Sequence, residues 1–144
     1  MSEKMERLTL EQIQVHFDKS PSISSLGLQV LSLDYETAEI ALREFVDTHS
    51  NHELAGSAQY WYGETFRIRQ LYQDAAAAYL DGYQNYPKSK KAPDNLLKLG
   101  LSLKAMGQKD DACTIFGKLT NNYPDAPAVI VTRLKQEWAE AACS

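Results

Sequence analysis

The sequence predicts an all-α protein built from repeated helical hairpins. Shifting the chain by 37 residues matches several pairs of positions, among them Gly63 with Gly100, Ala75 with Ala112, Tyr86 with Tyr123 and Pro87 with Pro124. A period of this length is typical of one hairpin that buries its apolar face only against its neighbours. A second shift finds a weaker first copy, in which Leu26 takes the place of the glycine. Three hairpins are therefore expected.

Within each copy, small residues stand where two helices must approach closely. The third copy shows the spacing of the tetratricopeptide repeat (TPR) signature at Leu99, Gly100, Leu103, Ala112, Phe116 and Pro124. A glycine costs a helix about 1 kcal/mol relative to alanine, which close packing can offset. Proline ends the second helix because it cannot continue the hydrogen-bond ladder. The chain thus resembles a TPR superhelix of three helix-turn-helix repeats with a C-terminal capping helix.

The predicted boundaries divide the chain into an extension and one repeat domain. Residues 1–19 form an N-terminal extension with a short helix, and residues 20–144 form the TPR domain. The repeats span about 20–52, 53–89 and 90–126, and the capping helix spans 126–142. The helices of the repeats are expected at 21–33, 35–48, 53–69, 72–85, 91–106 and 109–122.

The composition argues against several function classes. The net charge of −4 argues against a general nucleic-acid binder. No apolar stretch approaches the length of a membrane span, and the charged start shows no apolar core of a signal peptide.

No catalytic residue, metal site or cofactor is predicted. His49 and His52 have a spacing that could hold a metal on a helix, but they fall at the joint between two repeats. A structural or solvated role is the favoured interpretation. Asp110 and Asp111 begin a helix, where acidic side chains favour the positive end of the helix dipole. The sequence shows neither a phosphate-binding glycine loop nor a nucleophile elbow.

The two cysteines, Cys113 and Cys143, lie 30 residues apart and match neither a CxxC motif nor a metal framework. They could pair in an oxidising compartment or stay free. The helices that carry them are expected to be antiparallel, with Cys143 further from their joint than Cys113. The unpaired state is therefore favoured, and a disulfide is the alternative.

Beyond the signature positions, the amino-acid sequence of the repeats resembles one protein family. The stretches LAGSAQYWYGE and YPKSKKAPDNLLKLGLSLKAMGQKDDACTIFGKLTNNYPDAPA closely resemble the C-terminal TPR domain of the CpoB (YbgF) family, the cell division coordinators of the Tol-Pal system. The resemblance is strong over 54–128 and extends over about 22–53. It includes residues outside the signature, such as Ala92-Pro93-Asp94.

This resemblance implies a periplasmic, non-catalytic domain that binds TolA and a peptidoglycan synthase. The implied role is to coordinate outer-membrane constriction with septal wall synthesis. Family members carry a secretion signal and an oligomerising coiled coil before this domain, and neither is visible in the sequence. A cytoplasmic location is therefore the alternative, and the oligomeric state stays open. No direct membrane insertion is implied.

A partner is expected in the concave groove, which the first helix of each repeat lines. The candidate groove residues are Tyr60, Trp61, Glu64, Arg67, Leu97, Lys98, Leu101 and Lys104, to which Leu134 and Trp138 of the last helix could be added. Adjacent residues project about 100° apart on a helix, so Tyr60 and Trp61 cannot both face the groove. Leu97 and Leu101 fit either the groove or the packing between repeats.

The three basic groove residues, Arg67, Lys98 and Lys104, would suit an acidic peptide or a C-terminal carboxylate, although solvated charges are the favoured interpretation. Glu64 and Leu101 stand where chaperone-binding TPR domains use asparagine, which disfavours a heat-shock-protein tail. Two rival functions remain beside the envelope scaffold: a cytosolic TPR adaptor or co-chaperone, and an outer-membrane assembly component.

Overall fold

The computed structural model describes the backbone of residues 25–144 and the side chains from Asp34 onward. Six helices lie in this part of the chain, at Ser25–Thr48 (α1), Ala55–Ile68 (α2), Tyr72–Asn85 (α3), Ala92–Ala105 (α4), Lys109–Asn122 (α5) and Ala128–Glu140 (α6). Residues 25–144 contain no strand, which confirms the all-α prediction. The short helix expected within residues 1–19 lies outside the described residues.

Two complete hairpins form the centre of the structure. Helices α2 and α3 pack as one hairpin, α4 and α5 pack as the next, and α3 packs against α4 to join them. Helix α1 packs against α2, and α6 contacts both α4 and α5. The helices at 55–68, 72–85, 92–105 and 109–122 begin and end within two residues of their predicted bounds.

The first repeat differs from the prediction. A break between two helices was expected near Asp34, but α1 continues through this position from Ser25 to Thr48. Many helices end at a proline, or with a glycine at the C-terminal cap. Between residues 28 and 48 the sequence has neither, so the ladder continues. The prediction of a separate helix at 35–48 is therefore wrong.

Each hairpin closes over the glycine that the period singled out. A methyl group at Gly63 would lie 2.6 Å from the Tyr79 ring, and one at Gly100 would overlap the Phe116 ring. Both rings are fully buried, directly below the glycines. The glycines are thus the contact points of the two helices in each hairpin.

Successive repeats are also joined through their loops by tyrosine hydroxyl groups. The Tyr86 hydroxyl donates a hydrogen bond of 2.9 Å to the Ser50 carbonyl, and the Tyr123 hydroxyl donates one of 2.7 Å to the Pro87 carbonyl. Both bonds span 36 residues, so each tyrosine reaches the equivalent loop of the preceding repeat. We call these two bonds the tyrosine rungs.

The two cysteines form a disulfide, contrary to the favoured prediction. The Cα atoms of Cys113 and Cys143 are 5.5 Å apart and their sulfur atoms are bonded. Helix α6 ends at Glu140, and Ala142 adopts a left-handed backbone with φ of 52°. The Cys143 amide then donates to the Trp138 carbonyl, which turns the chain back. This reversal brings Cys143 level with Cys113. The sequence prediction continued the helix to residue 142 and so placed Cys143 too far from Cys113.

No helix in residues 25–144 has the length and apolar character needed to cross a membrane.

Candidate functional site

The first helices of the two hairpins and the last helix lie side by side. Helix α4 contacts both α2 and α6. Between these three helices lies a cleft of about 450 Å³, which we call the inner cleft. Its lining residues are Arg67, Tyr72, Leu101, Lys104, Ala105, Arg133, Glu137 and Glu140.

Helix geometry explains why charged side chains meet in the inner cleft. Arg67 and Lys104 lie in the last turns of α2 and α4, where a positive charge favours the negative end of the helix dipole. Arg133, Glu137 and Glu140 recur at intervals of four and three residues on α6, which places them on one face. Three helices therefore direct charges into one space.

On the α2 side, a buried carboxylate holds the wall of the cleft together. Glu64 accepts hydrogen bonds of 2.9 and 3.0 Å from the Arg67 guanidinium and another from the Tyr79 hydroxyl. The Lys98 ammonium lies 3.7 Å from the same carboxylate. Burial alone would raise the pKa of Glu64, but Arg67 and Lys98, with Tyr79, lower it below its usual range. Glu64 is therefore a charged structural anchor.

On the α6 side, a second ionic cluster joins α4 to the last helix. The Lys104 ammonium donates to Glu137 at 2.8 Å and to Glu140 at 2.9 Å, and Arg133 donates to Glu137 at 2.7 Å. Burial would raise the pKa of Glu137, but the Lys104 and Arg133 hydrogen bonds lower it. The same hydrogen bonds from Lys104 raise the pKa of its own ammonium group. These contacts fix the position of α6.

Between the two clusters, Lys98 lies near several cations. Burial lowers the pKa of its ammonium group and the charge of Glu64 raises it, while the charges of Arg67 and Arg133 lower it again. The net shift is downward, so Glu64 does not fully offset burial and repulsion. Asp94, one turn earlier on α4, has its pKa raised by burial despite nearby Lys91 and Lys98.

The predicted groove residues divide into a buried and an accessible set. Tyr60 and Trp61 are each 5% exposed, Leu97 is 3% exposed and Glu64 is 5% exposed. The partly exposed set is Arg67, Lys98, Leu101 and Lys104. Three of these four line the inner cleft, with Lys98 beside Glu64. The predicted positions thus include the cleft, although half of them lie below its surface.

The two aromatic residues belong to the core rather than to an open surface. Tyr60 packs edge-on against Trp61 at 5.0 Å between ring centroids, and lies 6.0 Å from the Tyr79 ring. The Lys91 ammonium covers both, at 5.0 Å from the Tyr60 centroid and 4.9 Å from that of Trp61. Neither ring leaves much area for a partner to contact.

Sequence reasoning missed the contribution of α6 to the cleft. It proposed Leu134 and Trp138, but Leu134 is buried and Trp138 packs against the core. The cleft is lined instead by Arg133, Glu137 and Glu140, which lie one or two residues away along the helix. Their spacing on one helix face was the available signal.

The two histidines at the repeat joint are held by local contacts. The His52 Nδ1 atom accepts a hydrogen bond of 3.0 Å from the Leu54 amide, and both imidazole rings lie against Phe45. Among the described residues, no group of three or more histidine, cysteine or acidic side chains could hold a metal ion.

Comparison with known families supports the assignment of the second hairpin. Residues 94–126 match the model of a tetratricopeptide repeat, and this range covers nearly all of α4 and all of α5. A search of curated proteins finds no match to the chain. The 37-residue period, the packing glycines and this match identify the chain as an all-α tetratricopeptide helical repeat, the kind of domain that binds protein partners.

Proposed function

We propose that this chain is a non-catalytic interaction module of the bacterial cell envelope, similar to the TPR domain of the CpoB family. In this proposal it binds TolA and a peptidoglycan synthase, and so coordinates outer-membrane constriction with septal wall synthesis. The sequence resemblance over 54–128 supports the family, and the repeat match at 94–126 supports the domain type.

The observation that carries a binding role is the inner cleft. A cleft of about 450 Å³ is within the usual size range of binding pockets. Its lining combines charged side chains with Leu101, Ala105 and the Tyr72 ring. This mixture of charged and apolar groups is typical of a surface that binds a polypeptide. We therefore assign partner binding to this face.

The disulfide supports the periplasm over the cytosol. Disulfides persist in oxidising compartments and are rare in the cytosol, where thiols are kept reduced. The Cys113–Cys143 bond joins α5 to the segment that follows α6, and α6 itself carries three of the eight cleft residues. An oxidising location would therefore preserve the cleft, and this argues against the cytosolic adaptor. An outer-membrane assembly role remains the second candidate.

The direct test is a calorimetric titration of the oxidised chain with purified TolA and with the peptidoglycan synthase. Saturable binding of at least one of them is the expected result. If a folded sample binds neither, the proposed partners are wrong.

A pair of matched variants places the interaction on the chain. Lys104→Gln alters the inner cleft, whereas Lys118→Gln makes the same change on an exposed position of α5. Lys104→Gln should weaken binding by about three- to tenfold because it removes a charge-assisted contact. Lys118→Gln should have no effect. Circular dichroism checks that both variants keep their helices. Equal affinities for the two variants would move the binding site elsewhere.

A further inference from the structure

Helix α6 is attached to the hairpins by different contacts along its length. In its first half, Ile130 and Leu134 are buried in the apolar core. Residues 136–144, which we call the end segment, have one large apolar side chain, that of Trp138, and it is only partly buried. The buried side chain of Glu137 is a carboxylate. The end segment therefore depends largely on contacts other than apolar packing.

The first of these contacts is ionic. The Lys104 ammonium donates to Glu137 at 2.8 Å and to Glu140 at 2.9 Å. The side chain of Glu140 is 63% exposed and that of Lys104 is 34% exposed, so water and salt weaken their attraction. Arg133, the other partner of Glu137, lies on α6 itself and does not tie the helix to the hairpins. The ionic contacts thus orient the end segment but hold it weakly.

The second contact is the disulfide, which ties the end segment covalently to a hairpin. Cys113 lies in α5, and Cys143 follows the chain reversal in which its amide donates to the Trp138 carbonyl. Both cysteines are half-buried, and the residue after Cys113 and the residue before Cys143 are exposed. A small thiol in solution can therefore reach the sulfur atoms. Without the bond, the end segment keeps only the Lys104 contacts and the partly buried indole.

The end segment forms part of the inner cleft. Glu137 and Glu140 are two of the eight residues that line it, and Lys104, which they bind, is a third. Arg67 and Leu101 belong to α2 and α4, whose hairpins pack against each other through α3 and α4. Movement of the end segment would therefore remove one wall of the cleft and leave the hairpin side in place.

We propose that the Cys113–Cys143 bond is a redox switch of the inner cleft, whose reduction releases the end segment from Lys104 and opens the cleft while both hairpins stay folded. The reductant is a dithiol. Its first thiolate attacks one sulfur of the bond, forms a mixed disulfide and expels the other cysteine as a thiolate, and its second thiolate then displaces the first cysteine. Two electrons and two protons pass to the cysteines, which become thiols, and the dithiol becomes a disulfide.

Opening the cleft weakens binding because a partner contacts the complete wall. If the end segment is detached in about nine of ten reduced chains, the apparent Kd rises about tenfold, since only the remaining chains are competent to bind. This consequence rests on the proposed function, whereas the release of the end segment does not.

Hydrogen exchange tests the release directly. The complete chain is labelled in deuterated buffer for short times before and after treatment with dithiothreitol, and its peptides are analysed by mass spectrometry. The end segment should exchange at least about tenfold faster in the reduced chain, as a segment that opens locally does, while α2–α5 stay protected in both forms. Unchanged exchange of the end segment, or loss of protection in the hairpins as well, would overturn the proposal.

The reactivity of Lys104 reports on the cleft itself. N-hydroxysuccinimide acetate is added to the oxidised chain and to the double variant Cys113→Ser with Cys143→Ser, which represents the reduced chain without any reductant. Lys104 should be acetylated several-fold faster in the double variant, because the two carboxylates of the end segment no longer favour its protonated form. Lys118, exposed on α5, is the matched control and should react equally in both. Equal rates at Lys104 contradict the switch.

Titrations of both redox forms with TolA and with the peptidoglycan synthase complete the test. The reduced chain should bind at least about tenfold more weakly than the oxidised chain. If one of these proteins binds both forms equally, the switch is wrong and the proposed function stands. If neither binds the oxidised chain, the proposed partners are wrong, and hydrogen exchange with Lys104 acetylation decides the switch without them.

Discussion

Gln70 and Gly107 occupy the same left-handed backbone position, 37 residues apart, with φ of 64° and 80°. Both follow the first helix of a hairpin, and in both the next amide bonds back to the helix: Leu71 to the Phe66 carbonyl and Gln108 to the Leu103 carbonyl. This is the Schellman arrangement, which glycine adopts without the steric cost that other residues incur. One hairpin therefore has the favoured residue and the other does not.

Exchanging these residues should change stability in opposite directions. Gln70→Gly should raise the free energy of unfolding by about 1 kcal/mol, and Gly107→Ala should lower it by about 1 kcal/mol. A methyl group at Gly107 would meet no atom within 4 Å, so only the backbone conformation is at issue. Urea unfolding measures both values. A stabilising Gly107→Ala would contradict the argument.

At the packing glycines, a substitution by alanine should destabilise the chain through a steric clash, although alanine has the higher helix propensity. Gly63→Ala places a methyl group against the Tyr79 ring and should destabilise the chain by about 1–3 kcal/mol. Gly117→Ala is the control, because a methyl group there meets no atom within 4 Å and the helix gains up to about 1 kcal/mol from propensity. Thermal unfolding of the two variants should show shifts of opposite sign.

Glu64 predicts a loss of stability in acid. Its pKa is lower in the folded chain than the usual 4.5, because Arg67 and Lys98, with Tyr79, outweigh the effect of burial. The unfolded chain therefore binds the proton more readily, and the stabilisation is complete above about pH 4.5 and is lost as the pH falls through the folded pKa. Urea unfolding between pH 7 and pH 3 should show this loss, and Glu64→Gln should reduce its slope.

Asp94 provides the contrast in the same experiment. Burial raises its pKa, so its carboxyl favours the folded chain at low pH and this contribution is lost as the pH rises through the folded value. Asp94→Asn should therefore leave the acid loss due to Glu64 in place. If the Glu64→Gln variant and the unmodified chain lose stability with the same slope below pH 4.5, the role of Glu64 is wrong.

Breaking the disulfide should destabilise the end of the chain that carries α6. Cys113 and Cys143 are separated by 30 residues, and closing a loop of this length stabilises a fold by about 3–4 kcal/mol. Adding a thiol reductant should lower the urea midpoint accordingly. The double variant Cys113→Ser with Cys143→Ser should start from the lower midpoint and show no response to the reductant. A response in that variant would point to another cause.

Two truncations separate core residues from cleft residues. Tyr60→Ala removes a buried ring and should lower the free energy of unfolding by about 3 kcal/mol. Leu101→Ala trims a partly exposed side chain of the cleft and should cost about 1 kcal/mol while weakening partner binding. Urea unfolding and the titration with TolA or the synthase provide the two readouts. Equal stability losses would mean that Leu101 belongs to the core.

The hairpins could be predicted from the sequence because local signals agreed with the packing. Gly63 and Gly100, the prolines that follow the second helices and the 37-residue period all indicate the same contact points. The course of α1 was missed because copying the repeat onto the first third of the chain suggested a joint near Asp34, although the lack of a helix breaker between residues 28 and 48 was the available signal. In this part of the chain the backbone hydrogen bonds of one helix continue through the position where the repeat pattern predicts a turn.

The site was predicted less completely, since burial depends on how repeats stack. The pattern placed Tyr60 and Trp61 on the correct helix but could not say which side of it faces the core. The disulfide depends on the chain reversal at Ala142, which has a left-handed backbone. Alanine rarely adopts this conformation, so the reversal could not be predicted from the residue type. The charged face of α6 was visible in the sequence, but only its packing beside α4 shows that it borders a cleft.

The tyrosine rungs have a consequence for the curvature of the array. Each rung holds one loop to the equivalent loop 36 residues earlier, so two hydroxyl groups fix the axial rise on that edge of the superhelix. Phenylalanine at both positions would remove these two hydrogen bonds and leave the packing within each hairpin unchanged. The angle between successive repeats could then vary while each hairpin stays folded.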